Sequence, residues 1–424
     1  MLDVKLLRDA PELAEQKLRS KEAGVELEPI LALDLVVREL KQRVDECKSR
    51  RNLLSKEIGE KKRSGASASS LMDTVGKING EIAKLDEELS LKESALHALL
   101  AVLPNLPMDD VKISDSAADN VELRSFGTVP KFDFPFKNHV ELNEELKLFD
   151  FKRAAKMSGS NWPAYRAMGA RLEWALLNYM IDIHIENGFT FWLPPLLVRP
   201  ETVYGSAQLP KFEDQLFKVK DEDYNLYLIP TSEASLMGLH ADEILDSESL
   251  PLRYVGYTPC FRREAGAHGS EERGLIRMHQ FNKVEMFAFT RPEESAAMFD
   301  ELVASAETIL KGLGLPFRTM VLVTGDISFA AAKTIDIEVW LPGQDRFYEV
   351  SSISNCTDFQ ARRSNARFKT KEEKPAFVHT LNGSGLATSR LMVALLENNQ
   401  RADGSVELPL VLHKYLGGIK ELKS

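Results

Sequence analysis

Two runs of apolar residues, spaced alternately four and three apart, constrain this chain more than any other feature. The first is Leu33, Val37, Leu40, Val44 and Cys47, continuing through Arg51 to Leu54 and Ile58. The second is Leu71, Val75, Ile78, Ile82, Leu85 and Leu89, continuing through Lys92 to Leu96 and Leu99. A mean repeat of about 3.5 leaves one narrow apolar seam per helix, which a partner helix must cover. The small polar stretch Ser64–Ser70 lies between the runs and predicts an antiparallel hairpin over about residues 28–102. At ~1.5 Å per residue such an arm projects on the order of 50 Å and encloses no pocket. Its first helix carries Arg38, Lys41, Arg43, Lys48, Arg50, Arg51 and Lys56, and its tip Lys61, Lys62 and Arg63. By themselves these are either solvated charges flanking the seam or a track for a phosphate backbone. Asp34, Glu39, Asp45 and Glu46 dilute them.

The chemistry therefore belongs to the rest of the 424 residues. Pro104 and Pro107 end the arm, and a polar linker is expected over residues 108–135. Beyond it, helices are expected near 142–157, 164–186, 292–311 and 384–398. Strands are expected near 224–229, 253–261, 279–289, 334–340, 347–352 and 377–381. The strands cluster without strict alternation with helices, which predicts an α+β unit built on a mainly antiparallel sheet. The division is an arm over residues 1–110 and one large unit over 111–424.

Hydrophobic residues make up 44% and charged residues 28%, which excludes wholesale disorder. No stretch approaches the ~20 apolar residues that span a bilayer, and the N-terminus has no apolar secretory core, so a cytoplasmic protein is expected. The three cysteines, Cys47, Cys260 and Cys356, are scattered, which argues against a disulfide framework or a structural zinc site. A net charge of −10 means that a nucleic-acid partner must meet a local basic surface.

No P-loop and no strand-led dinucleotide fingerprint is present. Four segments instead set polar groups where a strand should be apolar. In YVGYTPCFRREAG, Arg262 and Glu264 lie two apart, so a continuing strand points both to one face. In IRMHQFNKVEMFAF, Phe281, Lys283 and Glu285 share a face that offers a ring, a cation and a carboxylate. In TIDIEVWLPGQDRFYEVSSISNC, Asp336, Glu338, Glu349 and Ser351 gather oxygens suited to a hard cation such as Mg²⁺. In HTLNGSGLATSR, a strand is expected to end in a glycine-rich turn before a helix bearing Arg390. Separately, Thr231 and Glu233 in IPTSEASL are either a helix cap or a grip for an ammonium group. Each segment alone has a structural explanation: an ion pair, a packing turn or an edge hairpin. Together they can hold a triphosphate, a base and a small cationic substrate.

At this point the chain resembles, end to end, the bacterial seryl-tRNA synthetases, a family of class II aminoacyl-tRNA synthetases. FRREAG with RGLIRMHQF resembles motif 2, LNGSGLATSR resembles motif 3, and GFTFWLPPLLV, at residues 188–198, resembles the dimer-forming motif 1. GSAQLPKFEDQLF, PTSE and SNCTDFQARR are further family-type stretches. Ala234, Ser235, Ile353, Thr388 and Ser389 depart from the commonest family residues.

The resemblance implies an antiparallel sheet of six to seven strands behind a coiled-coil arm. It implies activation of L-serine by ATP with Mg²⁺, then transfer to the 3′-terminal adenosine of tRNA(Ser), with tRNA(Sec) allowed as a second acceptor, in a homodimer. Matched residue by residue, Arg262 and Arg390 are the catalytic arginines. Arg262, Arg263, Glu264, Arg277, Phe281, Glu349, Val350, Ser351, Ser352 and Arg390 are the ATP set. Phe281 and Arg390 would stack on opposite faces of adenine. Thr231, Ser232, Glu233, Arg262, Glu285, Asn382 and Ser384 are the serine set, and Glu349 with Ser352 the Mg²⁺ ligands. A regular pleat places Ser351, not Ser352, beside Glu349, so an irregular strand is expected there. On the arm, Arg38, Lys41, Lys48, Arg51, Lys56, Lys61, Lys62 and Arg63 would meet the tRNA. Two rivals remain: a paralogue charging a carrier protein, and a non-catalytic scaffold.

Overall fold

The computed structural model describes residues 1–265, 274–372 and 374–424. Gly266 and Arg273, which bound the two motif 2 stretches, lie outside the described residues. The chain divides into two compact units: Leu2–Leu103, and Pro104–Ser424 together with Met1.

In the first unit, α1 (Val4–Asp9) and α2 (Pro11–Arg19) precede two long helices, α3 (Glu28–Arg63) and α4 (Ser69–Ala101), which pack side by side. The expected seam is present along its middle, where Leu40, Val44 and Leu85 are buried with Cys47 and Leu89 against them. Toward the base the seam shifts by one residue. Asp34 is buried while Leu33 is only half-buried, and Leu100 is buried while Leu99 is exposed. The reason is the N-terminal helices: α1 brings Arg8 to 3.1 Å from Asp34, and Arg38 lies 3.0 Å from the same carboxylate. Toward the tip, Leu54, Ile58, Leu71 and Val75 are only half-buried, as expected of two helices with no third layer.

The second unit is built on one eight-stranded sheet. Its strands are β1 (Val121–Phe126), β2 (Thr190–Trp192), β3 (Leu252–Phe261), β4 (Gln280–Thr290), β5 (Phe317–Val321), β6 (Lys333–Leu341), β7 (Arg346–Asn355) and β8 (His379–Ala387). They run in the order β1-β5-β6-β7-β8-β4-β3-β2. All neighbours are antiparallel except β2 and β3. The sheet is longer than expected at both edges. β1 lies inside the stretch expected to be a linker, and none of its residues is buried, which explains why alternation did not mark it. β2 is three residues of the motif 1 stretch.

The main helices are α5 (Ala167–Glu186), α6 (Ser232–Gly238), α7 (Ser295–Leu313) and α8 (Thr388–Asn398). α5, α7 and α8 pack on the sheet over one large core that includes Leu172, Leu176, Leu302, Leu391 and the inward residues of β4, Val284, Met286 and Ala288. The helix expected over 142–157 is two, broken where Lys147 takes a left-handed conformation (φ 54°).

β8 corrects the sequence reading. The segment LNGSGLA is strand throughout, with no turn at its glycines. A Cβ on Gly383 would stand 2.8 Å from the Ile353 side chain, and one on Gly385 would stand 2.3 Å from His184 Nε2. These glycines admit neighbouring side chains rather than bending the chain. Among the described residues, no helix is long and apolar enough to cross a membrane.

Candidate active site

The central strands β3, β4, β8 and β7 bring the candidate residues to one side of the sheet. On β4 the pleat acts as read. Phe281, Lys283 and Glu285 line cavities, while Asn282 on the opposite face donates to Glu173 at 2.8 Å.

The motif 2 residues arrive by another route. β3 ends at Phe261, so pleating does not aim Arg262 and Glu264. Arg262 is held by its backbone N–H on His279 O (2.9 Å) and by Nε on Pro230 O (3.3 Å), and its guanidinium lies 5.1 Å from the Phe281 ring centre. Glu264 turns back through a left-handed conformation (φ 48°), and Arg277 Nη1 meets its carboxylate at 3.1 Å.

Two irregularities in the ladders shape the walls. On β7, Glu349 faces Glu338 and Ser351 faces Ile337, so Val350 is an extra residue, a β-bulge. The strand is irregular as expected, and Glu349, Val350 and Ser352 line one cavity while Ser351 is buried with its hydroxyl on Ser384 O. On β8, Ser384 faces Glu285 and Ala387 faces Lys283, so three steps on β8 match two on β4. Leu386, inside that bulge, has φ 85°.

Two cavities result, of about 250 Å³ and about 480 Å³. The smaller holds Arg262, Glu264, Arg277, Phe281, Glu349, Val350, Ser352, Ser384 and Arg390. The larger holds Thr231, Glu233, Glu285 and Asn382. Arg262, Glu264, Lys283 and Ser352 line both and form the junction.

Thr231 fulfils both of its readings. Its Oγ1 caps α6 by accepting from the Glu233 N–H (3.3 Å), and it donates to Glu285 Oε2 at 3.1 Å. Glu233 accepts from Gln360 Nε2 (2.5 Å) and from Asn382 Nδ2 (3.2 Å). Burial, and then the nearby Glu285 carboxylate, push the Glu233 carboxyl up to about 7 against the opposing pull of Lys283. Lys283 itself is ion-paired with Glu285. Arg390, the third residue of α8, lies over the Tyr348 ring at 4.7 Å and donates to Glu349 O at 2.8 Å.

Three sequence-matched residues line neither cavity. Ser232 is buried, 2.6 Å from Thr258 Oγ1; Arg263 is exposed; and Ser351 faces the interior. Ser384 lines the smaller cavity rather than the one that holds most of its set, and its buried Oγ has no hydrogen-bond partner among the described residues. Phe281 and Arg390 share a cavity, with Arg262 on the ring of one and Tyr348 under the guanidinium of the other. Residue matching passed over Lys283, Gln360 and Tyr348. Lys283 was legible on its strand face, whereas Gln360 lies on a separate helix within the family-type stretch SNCTDFQARR.

On the arm, Lys41 pairs with Glu93 at 2.7 Å, Lys48 with Asp86 at 3.2 Å and Lys61 with Glu57 at 3.5 Å. Arg43, Arg50, Lys56 and Lys62 are exposed and form no salt bridge among the described residues.

Chemically, the three guanidinium groups of Arg262, Arg277 and Arg390 and the Lys283 ammonium, which line the smaller cavity, suit a polyphosphate. The exposed Glu349 carboxylate and the Ser352 hydroxyl, brought to one wall by the bulge, are hard oxygen donors that fit Mg²⁺. Among the described residues no group of three or more His, Cys, Asp or Glu side chains could hold a metal.

Residues 1–107 match the seryl-tRNA synthetase N-terminal domain, and residues 217–399 match the tRNA synthetase class II core domain (G, H, P, S and T). A serine–tRNA ligase of Chlamydia pneumoniae is 52% identical over 100% of this chain and 99% of its own length. The crystal structure of seryl-tRNA synthetase from Pyrococcus horikoshii complexed with ATP superposes with a TM-score of 0.93 at 40% identity, covering 100% of this chain and 99% of that one. The cytoplasmic serine–tRNA ligase of Naegleria fowleri in complex with AMP gives a TM-score of 0.88 at 29% identity over 100% and 99% of the two chains. The chain thus belongs to the seryl-tRNA synthetase family of class II aminoacyl-tRNA synthetases.

Proposed function

We propose that this chain is a serine–tRNA ligase whose two joined cavities hold ATP and L-serine. The observation that carries the reading is the junction: Arg262 lines both cavities, where a serine carboxylate and an α-phosphate would meet. A carboxylate oxygen of serine attacks the α-phosphorus, and pyrophosphate leaves. The 3′-terminal adenosine hydroxyl of tRNA(Ser) then attacks the seryl carbonyl, and AMP leaves. tRNA(Sec) is an allowed second acceptor.

Arg262 neutralises charge that develops between the two anions, while Arg277 and Arg390 hold the outer phosphates. Phe281 offers its ring to adenine once the Arg262 guanidinium has turned to the phosphate, and Glu264 accepts from the adenine amino group. Glu233, Glu285 and Thr231 take the serine ammonium. Asn382 in the larger cavity and Ser384 in the adjoining smaller one, its Oγ without a hydrogen-bond partner among the described residues, recognise the serine hydroxyl, which rejects alanine by leaving polar groups unpaired. Glu349 and Ser352 would hold Mg²⁺, which when bound supplies charge neutralisation on the phosphates.

The arm, residues 1–110, would meet the tRNA backbone through cations not spent on the neighbouring helix, and residues 111–424 would carry the catalysis. A homodimer is supported by the exposed Trp174, Ile185, Phe191, Trp192 and Leu193 of α5 and the motif 1 stretch. ATP–pyrophosphate exchange measured across amino acids, followed by charging of tRNA(Ser), tests the reading. Exchange with serine and charging is the expected result; exchange without charging points to the carrier-charging paralogue, and no exchange to a scaffold.

A further inference from the structure

Lys283 has no task in the reaction just described, yet it lines both cavities. Its Nζ is ion-paired with Glu285 and 3.2 Å from Thr231 Oγ1, and Thr231 itself donates to Glu285. These partners are the groups assigned to the serine ammonium. The pair is withdrawn from water, with side chains 12% and 1% exposed. The protein's own ammonium therefore stands where the substrate's must go. Two ammonium groups on one buried carboxylate repel, so serine binding requires the lysine to leave.

A destination lies within reach. The lysine stem is long and flexible, and across the ladder from it stands Ala387, a small side chain at the end of the β8 bulge. The smaller cavity, which Lys283 also lines, is where the anions of the reaction would gather. We infer that Lys283 is a two-position cation, seated on Glu285 and Thr231 in the empty enzyme and moving to the serine carboxylate and α-phosphate when the serine ammonium replaces it. This rests on the reading of the cavities given above. The exchange keeps the ammonium subsite charge-balanced. It also couples the substrates: a nucleotide phosphate that draws the lysine away opens the serine subsite, so each ligand tightens the other.

The test is serine binding by calorimetry, with and without α,β-methylene-ATP and Mg²⁺. In the wild-type protein the nucleotide should tighten serine on the order of tenfold. In Lys283→Met, serine alone should bind more tightly than to wild type, the nucleotide should add little, and the exchange kcat should fall by roughly 10²-fold. Persistence of the full coupling, no gain in serine affinity, or an unchanged kcat would each overturn the inference. Should Lys283→Met fail to fold, a crystal structure of the wild-type protein with a seryl sulfamoyl adenosine decides the matter. Nζ within hydrogen-bonding distance of the sulfamoyl group is expected, and Nζ still on Glu285 sinks the idea. A wild-type protein without serine-dependent exchange overturns the functional reading and this inference together. Normal exchange with an indifferent lysine overturns the inference alone.

Discussion

Single residues in this site do two jobs at once, and that shapes what their replacement does. Arg262 bridges both cavities and is anchored on two backbone carbonyl-bearing segments, at His279 and Pro230. Arg262→Ala should lower serine-dependent exchange by about 10³-fold with little change in folding, read by exchange kinetics beside thermal unfolding. Glu233 is poised differently. Its folded carboxyl, raised to about 7 from an ordinary 4.5, is protonated over much of the mildly acidic range, and only the ionised form grips an ammonium. Serine affinity should therefore weaken as pH falls below about 7, approaching roughly tenfold per unit, and Glu233→Gln should flatten that dependence. A binding titration from pH 5.5 to 8 checks both the sign and the slope.

At the scale of elements, the far side of the sheet supports the site. Glu173 on α5 accepts from Asn282 on β4 and from the Thr388 hydroxyl at the start of α8, tying together the elements that carry Phe281 and Arg390. Burial raises its carboxyl to about 7, against hydrogen bonds from Thr388 and Asn282 that lower it. A carboxyl raised on folding stabilises most below its unfolded value, and that contribution is lost as pH rises through its folded value. Between about 4.5 and 7 the protein should thus lose on the order of 3 kcal/mol of stability from this group. Denaturant melts of wild type and Glu173→Gln across that window should show the decline in the first and not in the second. β8 offers a steric counterpart. Gly385→Ala sets a Cβ 2.3 Å from His184 Nε2 in a buried site, and should cost roughly 1–3 kcal/mol by urea unfolding.

For the whole molecule, the proposed function assigns catalysis to the α+β unit and tRNA binding to the helical arm. Reversing the charge of the unspent arm cations, Arg43, Arg50, Lys56 and Lys62, to glutamate should reduce tRNA charging by about 10²-fold or more while serine-dependent exchange stays near wild type. Comparable losses in both assays would show that the arm does not act through the tRNA. Leu193, 70% exposed beside Trp192, is the natural place to test pairing of two copies. Leu193→Glu should give monomers by sedimentation if that face joins them.

What the sequence alone determined follows from repetition and short-range geometry. The 3.5-residue seam specified the hairpin, and the pleat of β4 specified one face for Phe281, Lys283 and Glu285, because both are periodic and need no knowledge of the partner. Motif resemblance named Arg262, Arg277 and Arg390, which line one cavity, but also Arg263, which lines neither. The tertiary structure decided what depends on residues distant in sequence: the seam's shift to Asp34 under α1, the exposed edge strand β1, the burial of Ser232 and Ser351, and the glycines of β8, which make room for Ile353 and His184. It also decided that Lys283 sits on Glu285, since an ion pair is set by where two side chains are left when the sheet closes, which no local pattern records.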